Sequence, residues 1–415
     1  MNVAVFGKTL YAGVISALLS ECGHQVYWCN IFQNSQRNFQ DESVDRLLEK
    51  QLHSGFLHFS DFSALPHDID VYLFSFSPAE EQIGLQVVSQ LGLRPIIHPK
   101  LMINASTLGL RGTEKFQHLL PQDDWVYLPD IIQEGNALAS FTQAKQLIVG
   151  TTQTAVQLKV KELLRPLFPL EQNYLFMPIL DAEFTKLSIS GMLATRISYI
   201  NDLAVVAEKL GIDIEHVRQG MGADNRIGLS YLSPGAGFGG ENFSHDILTL
   251  ANTVSGTGTK SQLLAQVWDI NEQQKELLFR KLWNYFQGDL RGKTVAIWGA
   301  SFKENTSRIQ QSPIHAMLQA LWAQGVIVKL HDPQALAQIE KLYGQREDLI
   351  LCQDQYQAIK GAHALCLLTA WKQYWSPDYQ KLLHNMQHPF ILDGRNIFNP
   401  AYIKAQGFTY MGVGR

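Results

Sequence analysis

At 415 residues, 46% of them apolar and 17% charged, the chain is too long for one hydrophobic core and reads as two or three globular domains. A net charge of −4 argues against a basic nucleic-acid surface, and no run reaches the roughly 18 apolar residues of a membrane span. The apolar N-terminus has no basic stretch before it and is broken by a glycine turn, so it reads as a first strand and not a signal peptide, and a cytoplasmic protein is expected.

In chain order, residues 2–6 read as a strand, 10–22 as a helix and 25–29 as a second strand. Further strands are expected at 71–76, 95–104 and 147–149. Strands alternating with helices predict a parallel sheet covered on both faces. From 181 to 210 there is no proline and one glycine, and apolar residues recur at helical spacing, which predicts one helix roughly 45 Å long. A glycine-rich loop occupies 233–243. Strand–helix alternation then returns, with strands at 294–298, 326–331, 364–368 and 390–392 and a helix at 312–324 that carries Pro313 in its first turn. The fold class expected is α/β: two Rossmann-like doubly wound parallel sheets joined by a long central helix and a helical middle domain. The expected domains are 1–180, 181–285 and 286–415.

Gly7, Thr9 and Ala12 follow the first strand and open the first helix, where a dinucleotide fingerprint sits. Gly7 suits the tight turn and Ala12 the close helix–sheet packing. Thr9 places a β-carbon where bare backbone meets a pyrophosphate. The second strand runs out at Asn30, which bonds a ribose hydroxyl more weakly than a carboxylate. Two readings stay open at this turn, a weakened cofactor site and a phosphate-free βα turn. The cysteines, Cys22, Cys29, Cys352 and Cys366, lack metal-ligand spacing and read as buried thiols, so no metal is expected. None lies between Cys29 and Cys352.

Several ordered segments resemble the UDP-glucose/GDP-mannose dehydrogenase family. They are Ala182-Glu183-Phe184-Thr185-Lys186, Ala194-Thr195-Arg196-Ile197-Ser198-Tyr199-Ile200-Asn201, Asn225-Arg226-Ile227-Gly228, Pro234-Gly235-Ala236-Gly237-Phe238-Gly239-Gly240, and Gly299-Ala300-Ser301-Phe302-Lys303-Glu304-Asn305-Thr306. Shorter echoes include Ser106-Thr107, His331-Asp332-Pro333 and Asp393-Gly394-Arg395-Asn396. The resemblance implies oxidation of a nucleotide-sugar primary alcohol to a carboxylate, with NAD as hydride acceptor and a cysteine that carries the aldehyde through a thioester. It also implies a homodimer through the central helix and a UDP-sugar as the small-molecule partner.

Carried over residue by residue, the resemblance gives Lys186, Asp246, Thr107 and Glu134 catalytic roles. Arg226, Tyr231, Gly237, Gly239, Gly240 and Lys303 become substrate contacts. Gly7, Thr9, Ala12, Asn30 and Ser106 become contacts to NAD. The nucleophile stands two residues after a glycine pair, and that position here is Asn242, whose amide nitrogen is not nucleophilic. Ser190 stands where the family has an asparagine, and His245 replaces the lysine before Asp246. Ser307-Arg308-Ile309-Gln310 departs from the acidic run expected downstream of Lys303. Two functions follow as expectations. The favoured one is a nucleotide-sugar-binding or assembly protein that has lost the parent chemistry. The other is a redirected oxidoreductase that makes a single hydride transfer.

Overall fold

The computed structural model describes residues 1–30, 39, 41–95, 97 and 99–415, without the side chain of Asn30. The chain divides into two compact units, Met1–Ile189 and Ser190–Arg415.

The first unit holds an eight-stranded sheet of order β3-β2-β1-β4-β5-β6-β7-β8. Its strands are β1 (Asn2–Phe6), β2 (Gln25–Asn30), β3 (Leu57–Asp61), β4 (Val71–Phe74), β5 (Leu101–Asn104), β6 (Asp124–Tyr127), β7 (Leu147–Gly150) and β8 (Tyr174–Met177). The helices are α1 (Leu10–Glu21), α2 (Glu42–Ser54), α3 (Glu81–Leu91), α4 (Gly112–Gln117), α5 (Ala137–Thr142) and α6 (Thr154–Leu164). Side-chain alternation along the strands explains the two-sided cover. Val3, Val5, Val26 and Leu73 pack with α1 and α6 on one face. Ala4, Phe6, Tyr72 and Phe74 pack with α3 and α4 on the other. The pairings are parallel except for β6 with β7, which meet antiparallel at Tyr127 and Gly150.

The segment 95–104 contributes a strand only over its last four residues. Pro95 and Pro99 lack the N–H that a ladder needs, so the chain enters the sheet after them; residues 96 and 98 lie outside the described residues. Strands β3, β6 and β8 are not among the strands expected. For β3 the pattern gives little signal: in Leu57-His58-Phe59-Ser60-Asp61 only Leu57 is buried.

The long helix α7 (Ile179–Leu210) has 32 residues and a length of roughly 48 Å. The second unit continues with α8 (Ile214–Ala223), α9 (Glu241–Gly256), α10 (Leu263–Lys275) and α11 (Leu277–Tyr285). Its sheet has order β11-β10-β9-β12-β13-β14, all parallel. The strands are β9 (Thr294–Trp298), β10 (Ile327–His331), β11 (Leu349–Leu351), β12 (Ala364–Leu367), β13 (Phe390–Asp393) and β14 (Thr409–Met411), and α12 (Ile314–Ala323) covers one face. Pro313 stands at the N-cap of α12, one position before the first turn.

The two sheets share a strand order, with the chain reversing direction beside the first strand of each, and the same glycine device marks both reversal points. Gly7 has φ +113, and a β-carbon there would lie 1.8 Å from the Ser75 carbonyl oxygen after β4. Gly299 has φ +95, and a β-carbon there would lie 2.4 Å from Thr369 Cβ after β12. Only glycine permits both the backbone angle and the contact.

Candidate functional site

In open α/β sheets a ligand binds beyond the carboxyl ends of the strands, at the point where strand order reverses. In the first sheet that point lies between β1 and β4. Thr9 is the N-cap of α1, and its hydroxyl accepts from Ala12 N at 3.1 Å. The same hydroxyl bonds the Ser75 hydroxyl. Lys8 pairs with Glu80 at 3.2 Å, and the Glu80 carboxylate also accepts from Ser77 N. Ala12 is buried in the α1 face of the core. Asn30 pairs in register with Asp61 through its backbone, and its proposed ribose contact lies outside the described residues. Ser106 is buried: its hydroxyl accepts from Phe76 N at 2.9 Å and donates to the Phe74 carbonyl. Thr107 follows it, buried, with its N–H on the Phe76 carbonyl, and Glu134 lies half-buried after β6.

Lys186 is buried on α7, with 8% of its surface exposed. One turn before it, Glu183 accepts from Arg111 N at 2.6 Å, Thr113 N at 2.8 Å and Thr113 Oγ1 at 2.7 Å. These are donors at the start of α4, which a buried carboxylate satisfies. Burial raises the Glu183 carboxyl above the usual range, against the lowering effect of these hydrogen bonds. Sequence reasoning gave Glu183 no role; its place three residues before Lys186 in a matched motif was the available signal.

In the second unit, Asn242 sits in the first turn of α9, which Gly240 caps with φ +94. Asp246 lies further along the same helix, 3% exposed, and accepts from Ser190 Oγ at 2.8 Å. Asp246 is therefore an interior residue of α9 and not its cap. The fold brings together Asp246 and Ser190. His245 faces Thr249 one turn on, at 3.2 Å.

The glycine loop runs buried from Pro234 to Gly240 and is held by the protein itself. Gly235 N donates to Asn201 Oδ1, and the Gly235 carbonyl accepts from Gln274 Nε2. Phe238 N donates to Asn271 Oδ1, and Gly240 N to the Gln310 carbonyl. A β-carbon on Gly239 would lie 2.6 Å from the Gln311 carbonyl oxygen; one on Gly237 would lie 3.1 Å from Asn271 Oδ1. Close approach to protein backbone and side chains thus accounts for glycine in this loop. The asparagines that hold it were not singled out as site residues, although Asn201 closes one of the matched segments.

Lys303 lies over the Phe302 ring at 5.9 Å. Nearby, Arg395 donates to the Leu368 carbonyl at 2.6 Å. Asp332 ends β10 and gathers Ala300 N, Ser301 N and Trp371 Nε1, which fixes the turn after β9. Arg226 stays on the surface in a fork with Asp224 and is 88% exposed along its side chain. Tyr231 is exposed, with φ +58 in the left-handed region. Arg196 steadies this segment by donating to the carbonyls of Ile227, Gly228 and Ser230.

The four cysteines are free thiols: Cys22 half-buried, Cys29, Cys352 and Cys366 buried. Burial pushes the thiols of Cys22, Cys352 and Cys366 up, away from the thiolate form. Among the described residues no group of three or more His, Cys, Asp or Glu side chains is arranged to hold a metal ion.

Two doubly wound sheets, each with a tight glycine turn at its reversal point, and a long helix carrying a buried lysine define a Rossmann-like class of α/β protein. Residues 180–273 match the central domain of the UDP-glucose/GDP-mannose dehydrogenase family, and residues 296–400 match that family's UDP binding domain. The UDP-glucose 6-dehydrogenase of Pseudomonas aeruginosa is 39% identical, over 100% of this chain and 98% of its own length. That of Rhizobium meliloti is 31% identical, over all of both chains. The chain belongs to the UDP-glucose/GDP-mannose dehydrogenase family. Its fold is similar to a UDP-glucose dehydrogenase from the hyperthermophilic archaeon Pyrobaculum islandicum, with TM-score 0.87, 22% identity and coverage of 100% and 97% of the two chains. No helix among the described residues is long and apolar enough to cross a membrane.

Proposed function

We propose that this chain is a nucleotide-sugar-binding member of its family that does not perform the cysteine-dependent four-electron oxidation. The observation that carries the reading is the residue at the nucleophile position. Asn242 occupies the first turn of α9, where a thiolate is required as nucleophile and leaving group. The thiols of the second unit, Cys352 and Cys366, are buried in its last domain, and burial pushes both up, away from the thiolate form. The match to a UDP binding domain and the retained Lys303 support a UDP-sugar as ligand.

A second reading is a single hydride transfer on a nucleotide-sugar alcohol. It is favoured by one observation: the first unit keeps a buried lysine, Lys186, on α7, and a hydride transfer needs no thiolate. Self-association through α7 fits either reading. Met192, Tyr199 and Val206 are exposed and spaced by seven residues, the repeat of a helix seam.

The experiment is calorimetric titration of UDP-glucose and UDP, paired with an assay of NADH formed per UDP-glucose. Binding without NADH supports the first reading. One NADH per sugar supports the second, and two would overturn both.

A further inference from the structure

The fold implies a dinucleotide at the first sheet, and the residues there do not fit one. From the contacts of residues 7–9 and 28, we infer that this crevice is closed by the chain's own side chains and that the first unit takes no NAD. The inference rests on the family fold and deepens the first reading above.

A pyrophosphate at this position needs two things: open backbone N–H groups at the helix start, and uncompensated positive charge. Neither is offered. Thr9 uses its hydroxyl to cap Ala12 N, so one donor of the first turn of α1 is already satisfied from within. The bond from Thr9 to Ser75 ties the loop after β1 to the loop after β4, across the mouth where the ligand would pass. Lys8, the cation within this turn, is paired with the Glu80 carboxylate; its own side chain is 52% exposed and that of Glu80 7%. A diphosphate binding to Lys8 must compete with that carboxylate, and displacing the carboxylate from Lys8 leaves a buried acid short of its partner.

The space between β2 and α1 is filled as well. Trp28, 1% exposed, donates from its indole to the Gly7 carbonyl at 2.8 Å. Its ring stacks on Phe39 with centroids 6.0 Å apart and planes 5° apart. Phe39 in turn lies over Gly13, where a β-carbon would come within 2.4 Å of its ring. This aromatic pair packs between β2 and α1 and holds the Gly7 carbonyl in place. Without a dinucleotide there is no hydride acceptor, so the second reading above loses its oxidant.

The test is titration of NAD into the full-length protein by calorimetry, alone and with UDP-glucose present. It is repeated on the double variant Thr9→Gly, Glu80→Gln. Glycine is a tolerated N-cap, so the variant keeps its helix. The expected result is no saturation of wild type up to about 1 mM NAD and a gain of about tenfold or more in the variant. Micromolar binding by wild type overturns the inference. A variant that is folded by circular dichroism and still blind to NAD also overturns it, since the named contacts would then not be the barrier. UDP-glucose heat in the same experiment reports separately on nucleotide-sugar binding: its absence defeats that reading while leaving the closed crevice intact.

Discussion

Replacing Glu183 by glutamine tests how the first sheet positions α7. The carboxylate accepts three hydrogen bonds: Oε2 from Arg111 N, and Oε1 from Thr113 N and Thr113 Oγ1. Glutamine keeps one acceptor oxygen for the Thr113 pair. Its amide then faces Arg111 N donor to donor, in a site where Glu183 is 2% exposed. Loss of one charge-assisted bond, plus weakening of the other two, is worth about 2–4 kcal/mol. The cost falls on α4 and its preceding turn, because Arg111 is the N-cap there and has φ +62. Hydrogen exchange read by mass spectrometry over residues 111–117 is expected to accelerate about 30- to 1,000-fold at neutral pH. Exchange within about threefold of wild type would refute the argument that Glu183 holds this helix start.

Other outcomes follow from the same geometry. Because burial lifts the folded carboxyl of Glu183, its contribution to stability is fully present below the unfolded value of about 4.3 and is lost as pH rises through the raised folded value; Glu183→Gln flattens that part of a denaturation-versus-pH curve. Gly239→Ala drives a methyl group into the Gln311 carbonyl and is expected to cost about 1–3 kcal/mol in urea unfolding, whereas Arg226→Ala, at an exposed pair, leaves the midpoint unmoved. Ser190→Ala removes a buried donor from Asp246 and should lower stability by about 1.5–3 kcal/mol; an unchanged midpoint would show that the pair carries no weight. Asn242→Cys is expected to react with a disulfide reagent faster than the native thiols, because it stands at a helix start, while buried Cys352 and Cys366 react only on unfolding.

Much of this protein is written in short stretches of its sequence. Strand–helix alternation identified the α/β class because period and burial are linked locally. The uninterrupted apolar spacing after residue 180 identified α7, since no proline or glycine run breaks it. The proposal that Asn242 stands at the nucleophile position rests on the family resemblance, in which the glycine pair before it marks that position. What the tertiary structure alone decided is the partnership of residues distant in sequence. Ser190 and Asp246 stand 56 residues apart, Glu183 and Arg111 stand 72 apart, and Lys8 meets Glu80 only because β4 lies beside β1. Sequence spacing predicts neighbours along a helix or strand, whereas neighbours across a sheet are set by strand order. Strand order left no local trace here, and it decides whether a glycine turn opens onto a ligand or onto the chain itself.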